Sequence, residues 1–239
     1  MAQAQASSVL TAEVARFDAL AAQWWDPRGP MRPLHAMNPL RVGWIETRIR
    51  ARFGQEGVRQ LDVGCGAGHA AEALARRGHT VLGIDAAGEA LAAARAHADG
   101  KGFTLAYRDA TAEALLAEGL RFPAITALEV IEHVADPAAF VATLARLLEP
   151  GGRLFLSTLN RTPRSFLTAK LGAEYLLRLL PVGTHEFRRF VTPPELSGYL
   201  RAAGLRLSDI AGMAPDPLRG GWRTTRHVDT NYIVMAEGS

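Results

Sequence analysis

A single cysteine, Cys65, stands in the 239 residues, so no disulfide can form within the chain, which suits a reducing compartment. Long apolar runs are missing as well. No stretch approaches the roughly 20 consecutive apolar residues of a membrane-spanning helix. The first residues carry no apolar core of signal-peptide length. Charge is scarce in blocks: the net charge is +3, and the arginines are scattered. No basic run interleaved with aromatics speaks for nucleic acid. Repeats and low-complexity tracts are absent. What remains is the expectation of a cytoplasmic globular protein, with no nucleic acid among its partners. Its 48% hydrophobic content suffices for one sizeable core.

The middle of the chain alternates between two apolar periods. Val58–Val63, Thr80–Ile84, Phe103–Tyr107, Pro123–Leu128 and Arg153–Thr158 read as five short buried strands. Between them, His69–Arg77, Gly88–Ala98 and Pro137–Leu148 read as helices, the last stopped by Glu149-Pro150-Gly151-Gly152. Such alternation with short connections predicts right-handed βαβ units and a parallel sheet. Leu205–Ala211 and Tyr232–Ala236 add two strands, and Pro194–Ala203 a helix closed by Gly204. The expected fold is an α/β, Rossmann-like single domain over 1–239, with a mostly parallel seven-stranded sheet and helices on both faces. Residues 1–57 form a helical cap, helical from Thr11, interrupted by turns at Trp24–Pro30 and Asn38-Pro39, then helical over Leu40–Phe53. Residues 58–158 form the binding core, 161–192 a helical insertion, and 193–239 the closing helix and strands.

The most informative segment is Leu61-Asp62-Val63-Gly64-Cys65-Gly66-Ala67-Gly68. It follows a strand and opens a helix, so its glycines permit a tight turn and close backbone approach to a ligand. Seventeen residues beyond Gly68, Asp85 ends the second strand, where an acid can accept both hydroxyls of a ribose. The spacing is G-x-G-x-G. The dinucleotide fingerprint has its third glycine one position later, with a pyrophosphate at the helix start. The shorter spacing and the neighbouring Asp62 suit a phosphate-free, cationic ligand. Cys65 reads as a small loop residue, not a nucleophile.

Val58–Thr158 resembles the class I S-adenosylmethionine methyltransferases. The resemblance implies that the backbone at Gly64 and Gly66 holds the methionine part of S-adenosylmethionine and that Asp85 holds its ribose. It also implies that Asp109 lies near the adenine and that Leu128 packs in the same pocket.

Glu129, Glu132 and His133 follow the fourth strand, at the edge where open α/β sheets place their ligands. Two carboxylates and an imidazole can bind a divalent cation such as Mg²⁺, Mn²⁺ or Zn²⁺. His133 can equally serve as a general base, because imidazole titrates near neutral pH. A purely structural role for the trio also stands open.

Beyond the glycine loop, further segments resemble the bacterial ubiquinone biosynthesis O-methyltransferases. They are Phe17 with Trp24-Trp25-Asp26, Pro33-Leu34-His35, Asn38-Pro39-Leu40-Arg41, Glu129–His133 and Ser157-Thr158-Leu159-Asn160-Arg161. Gly172-Ala173-Glu174-Tyr175, Gly183-Thr184-His185 and Asp229-Thr230-Asn231-Tyr232 complete the set. The resemblance implies O-methylation of polyprenyl catechol or hydroxyphenol intermediates, other proteins of that pathway as partners, Arg41 on the methionine carboxylate, and Glu129, Glu132 and His133 around a cation.

Ser165–Leu180 carries a broad apolar stripe accompanied by Arg161, Arg164, Lys170 and Arg178. A helix of this kind can lie in a membrane interface, which would place the protein at the inner face of the membrane. A core helix or substrate lid is the other reading. Two rival functions remain: a methyltransferase for a small soluble phenol, and a non-catalytic S-adenosylmethionine-binding module. A nucleic-acid methyltransferase is disfavoured, since no Asn-Pro-Pro-aromatic motif follows the fourth strand.

Overall fold

The computed structural model describes residues 10–54, 57–166, 187–218 and 220–238. In chain order it contains α1 (Thr11–Leu20), α2 (Arg32–Phe53), β1 (Arg59–Val63), α3 (His69–Ala75), β2 (Thr80–Asp85), α4 (Gly88–Ala98), β3 (Leu105–Asp109) and α5 (Ala112–Ala117). There follow β4 (Phe122–Leu128), α6 (Pro137–Leu147), β5 (Leu148–Leu159), α7 (Pro193–Ala202), β6 (Leu205–Pro215), β7 (Trp222–Thr225) and β8 (Asn231–Gly238). The described strands join one sheet in the order β3-β2-β1-β4-β5-β8-β6-β7. Strands β1 to β5 are parallel, and β8, β6 and β7 add antiparallel pairs.

Alternation along β1 explains the layering. Leu61 and Val63 face one core, with Leu115 of α5, Phe140 and Leu144 of α6, and Leu196 and Leu200 of α7. The opposite core joins Ile45 and Ile49 of α2 and Leu74 of α3 to Val81, Ala124 and Phe155 of the sheet. Full burial of side chains of this size stabilises by roughly 1.5–3 kcal/mol each. A third cluster gathers Leu20, Trp24 and Met31 with Ala67, Ala87 and Ala90, which seats the N-terminal cap on the glycine loop and α4. Asp18 fastens it by accepting from the backbone N–H of Glu89 at 2.9 Å, at the start of α4.

Several expectations are corrected. Among the described residues the sheet has eight strands where seven are expected; β7 spans four residues, too few for a readable period. Helix α2 begins at Arg32 and runs through Asn38-Pro39, where a turn was expected. Pro39 lies on the exposed face, and Asn38 Nδ2 donates to the His69 carbonyl at 2.8 Å, so tertiary contacts outweigh the one helical bond that proline removes. Strand β5 absorbs Leu148 and the Pro150-Gly151-Gly152 turn through a bulge, where pairing jumps from Phe122–Leu148 to Ala124–Arg153. Helix α5 was not foreseen; its cap Thr111 accepts from the N–H of Ala114 at 3.3 Å. Of the stretch Ser165–Leu180, everything from residue 167 onward lies outside the described residues, as do the segments Gly172–Tyr175 and Gly183–His185. Among the described residues no helix is long and apolar enough to cross a membrane.

Candidate active site

β1 has β2 on one side and β4 on the other, so the chain leaves it in opposite directions and a crevice opens at the strands' carboxyl ends. The glycine loop forms its floor. Gly64, Gly66 and Gly68 have φ of 66°, 52° and 87°, a conformation that side chains resist. The N–H groups of Gly64 and Cys65 both donate to the Ile84 carbonyl, at 2.8 and 3.0 Å, tying the loop to β2. Asp85 completes the tie: its Oδ2 accepts from Gly66 N–H at 2.7 Å and its Oδ1 from Ala87 N–H at 2.8 Å. Burial pushes the Asp85 carboxyl up, against these backbone donors. Cys65 is buried, its Sγ 3.6 Å from the Gly66 carbonyl, and burial pushes its thiol well above the usual range. Burial of this kind disfavours the thiolate that a nucleophile needs.

Over the loop lies a cavity of about 410 Å³. Asp62, Gly64, Gly66 and Asp85 line it, together with Leu128, Glu129, Glu132 and His133. Phe17, Trp24, Leu34 and Met37 of the cap close over it, and Arg41 enters from α2. The structure thus brings all but one of the expected site residues to one cavity. Asp109 is the exception: it is exposed at the end of β3, and the neighbouring Ala110, Thr111 and Ala112 line the cavity instead.

Two charged side chains of this cavity each carry an atom without a hydrogen-bond partner among the described residues. Arg41 is 3% exposed, its Nη1 stands 3.8 Å from Glu129 Oε1, and its Nε donates to nothing. Burial lowers the Arg41 pKa, opposed by Glu129, Asp62 and Glu132. Asp62 accepts from Thr126 Oγ1 at 2.6 Å through Oδ1 and feels the Ala71 N–H at the start of α3, while its Oδ2 has no hydrogen bond of normal length among the described residues. Burial pushes the Asp62 carboxyl up to about 6. An orphaned cationic donor and an orphaned carboxylate in one crevice are each costly without a ligand.

Glu129 is the one described residue other than glycine with positive φ, at 58°. Such a backbone costs of order 1–3 kcal/mol and persists where the surroundings over-determine it. Here Ser157 Oγ donates to Oε1 at 2.7 Å, Asn231 Nδ2 donates to Oε2 at 3.2 Å, and the Glu129 N–H donates to the Ser157 carbonyl at 2.9 Å. Glu132 is buried and accepts from Thr158 Oγ1 at 2.8 Å; burial and then the charge of Glu129 push its carboxyl upward. His133 places Nδ1 3.0 Å from Glu13 Oε2 of α1, with its ring edge-on to Phe17 at 5.5 Å. Among the described residues no three His, Cys, Asp or Glu side chains group tightly enough to hold a metal. Glu129, Glu132 and His133 share the cavity but do not converge, because Ser157 with Asn231, Thr158 and Glu13 each engage one of them.

Sequence reading did not single out Thr126, Ser157, Asn231 or Glu13 for the site. Ser157 and Asn231 fall in the segments that carry the family resemblance; Thr126 and Glu13 carry no such signal.

A mostly parallel sheet of this order, with a G-x-G-x-G turn after β1 and an acid ending β2, defines a class I methyltransferase. The methyltransferase-domain family matches residues 40–209. The magnesium protoporphyrin IX methyltransferase from Synechocystis PCC 6803 with bound SAM shares the fold, with TM-score 0.66 and 18% identity, covering 98% of this chain and 100% of that one. The ubiquinone biosynthesis O-methyltransferase of Azorhizobium caulinodans is 47% identical, over 94% of this chain and 92% of the relative. That of Dinoroseobacter shibae is 48% identical, over 96% of each. The chain belongs to the ubiquinone biosynthesis O-methyltransferases. It is an S-adenosylmethionine-dependent O-methyltransferase.

Proposed function

We propose that the crevice holds S-adenosylmethionine with its ribose on Asp85, its carboxylate on Arg41 and its ammonium toward Asp62, and that a polyprenyl catechol or hydroxyphenol is the methyl acceptor. One observation carries the placement: a partnerless guanidinium Nε and a partnerless carboxylate oxygen serve the same crevice. Their signs match the two charges of an amino-acid zwitterion, and no phosphate is needed. The bound cofactor supplies a methyl group activated by its sulfonium.

The protein's own work is positional and electrostatic. The glycine loop brings backbone against the ligand, and Asp85 fixes both the loop and the ribose. Phe17, Val14, Leu34, Val134, Phe140 and Phe190 give the cavity apolar walls, which suit a prenylated ring. Holding ring and methyl donor together removes most of the entropic barrier to a two-reactant step. A phenol loses its proton near pH 10 in water, so the oxygen needs help. His133 lines the cavity and accepts that proton in this reading. Glu129, Glu132 and His133 are residue types that hold Mg²⁺, Mn²⁺ or Zn²⁺, but as they stand they do not converge on one point, so no step is assigned to a cation. Reversible contact of Ser165–Leu180 with the inner membrane face, where prenylated intermediates and other pathway proteins would be met, rests on the sequence stripe alone.

The test pairs binding with turnover. Arg41→Met should weaken S-adenosylhomocysteine binding, measured by calorimetry, by about 30-fold or more, as loss of a charge-assisted contact does. Wild-type protein should release S-adenosylhomocysteine when given a prenylated catechol. Equal turnover of an unprenylated phenol would point to a small soluble acceptor, and none with any phenol to a non-catalytic binding module.

A further inference from the structure

We propose that Asn231 is a substrate-binding residue whose side-chain oxygen accepts a hydrogen bond from the ring hydroxyl that is not being methylated. This rests on the phenol reading above and names what recognises the ring.

Asn231 opens β8 and lines the cavity, yet it is only 4% exposed. Its amide is orientated: Nδ2 donates to Glu129 Oε2 at 3.2 Å, which fixes the opposite atom as the carbonyl oxygen. That Oδ1 has no partner among the described residues. A buried acceptor without a donor is costly, so the cavity favours a ligand that brings an N–H or O–H.

Strand order says which ligand. Asp62 and Gly64 belong to β1 and its turn, and Asp85 to β2. Asn231 stands beyond β4 and β5, three strands from β1. With neighbouring strands about 4.8 Å apart, it lies over the far part of the floor, away from the ribose. Through Glu129, which also stands 3.8 Å from Arg41, Asn231 borders the methionine end of the cofactor, where the methyl acceptor must approach, and we assign its oxygen to the acceptor ring. An amide oxygen is no base at neutral pH and stabilises a hydroxyl that keeps its proton. It therefore suits the spectator hydroxyl, while the reacting oxygen must lose its proton elsewhere. Sites that hydrogen-bond a substrate hydroxyl discriminate strongly against analogues lacking it.

The experiment measures binding with S-adenosylhomocysteine saturating, so that no turnover intervenes. Two probes are titrated: a catechol with a short prenyl tail, and the same ring with one hydroxyl replaced by hydrogen. The wild type should prefer the catechol by about tenfold or more. Asn231→Leu and the smaller Asn231→Ala should bring the two affinities within about threefold while keeping S-adenosylhomocysteine affinity. Ser157→Ala removes the other donor to Glu129 and should keep the preference. The proposal is overturned if both Asn231 variants keep it, or if Ser157→Ala loses it equally, since Asn231 would then serve only Glu129. Loss of S-adenosylhomocysteine binding in a folded Asn231→Ala would overturn it too, by putting Asn231 under the cofactor. A wild type that binds S-adenosylhomocysteine but neither phenol takes down the phenol reading itself, and this inference with it.

Discussion

The indole of Trp24 occupies the space that a side chain on Gly66 would need: a Cβ there would lie 2.5 Å from Trp24 Cζ2. The same tryptophan's carbonyl meets Nε2 of His35 at 2.9 Å and Nε2 of His69 at 3.1 Å, so the cap is pinned to the floor of the crevice. The contact ties the cap to the cofactor loop, although the two are far apart in the chain.

Gly66→Ala should therefore disturb both. The φ of 52° alone costs an alanine about 1–2 kcal/mol, before the clash with Trp24 is counted. We expect at least a tenfold loss of S-adenosylhomocysteine affinity and altered tryptophan fluorescence. In Gly66→Ala with Trp24→Ala the two losses should be less than additive, because the clash is gone.

Asp85→Ala removes the acceptor for two backbone N–H groups along with the proposed ribose clasp. Bonds to a charged acceptor contribute roughly 1.5–3 kcal/mol each, so S-adenosylhomocysteine affinity should fall more than about 30-fold. Wild-type affinity by calorimetric titration would remove Asp85 from the ribose.

Asp62 gives a pH-dependent prediction. Its folded pKa is raised, from 3.8 to about 6, so its contribution to stability is fully present below pH 3.8 and is lost as the pH rises through about 6. At neutral pH the buried charge costs up to the order of 3 kcal/mol in the ligand-free protein. Asp62→Asn should raise the melting temperature at pH 7, and the difference should shrink toward pH 4. The same variant should bind S-adenosylhomocysteine more weakly. A melting gain that is flat from pH 4 to pH 8 would contradict the assignment.

Gln60 is fully buried on β1, and neither of its side-chain polar atoms has a partner among the described residues. Replacing it with leucine, of similar volume, relieves an unsatisfied amide at a cost-free position for the site. Such groups cost about 1–3 kcal/mol, so thermal unfolding should shift upward by several degrees, with cofactor binding unchanged.

The alternating strands, the glycine loop and Asp85 were legible because each rests on local signals: apolar period, turn chemistry and spacing. Leu128, Glu129 and His133 were legible as a cavity edge because they follow a strand that the pattern already placed. Helix α2 was shortened in the reading because Asn38-Pro39 is a local turn signal, whereas the His69 carbonyl that satisfies Asn38 is 31 positions away. The supports of Glu129 come from β5 and β8, and no spacing rule connects strands that meet only in the folded sheet. The resemblance implies Asp109 near the adenine, whereas its side chain is exposed and Ala110 and Thr111 line the cavity, a difference of one or two positions that no local pattern marks.

β8 is the last described strand along the chain, yet it sits between β5 and β6, with Tyr232, Ile233, Val234 and Ala236 fully enclosed. A ribosome that has released everything up to residue 230 has therefore made a sheet with a gap in its middle and two open edges. Closing this sheet has to wait for residues 231–238, and a chain cut before them would offer those edges to its neighbours.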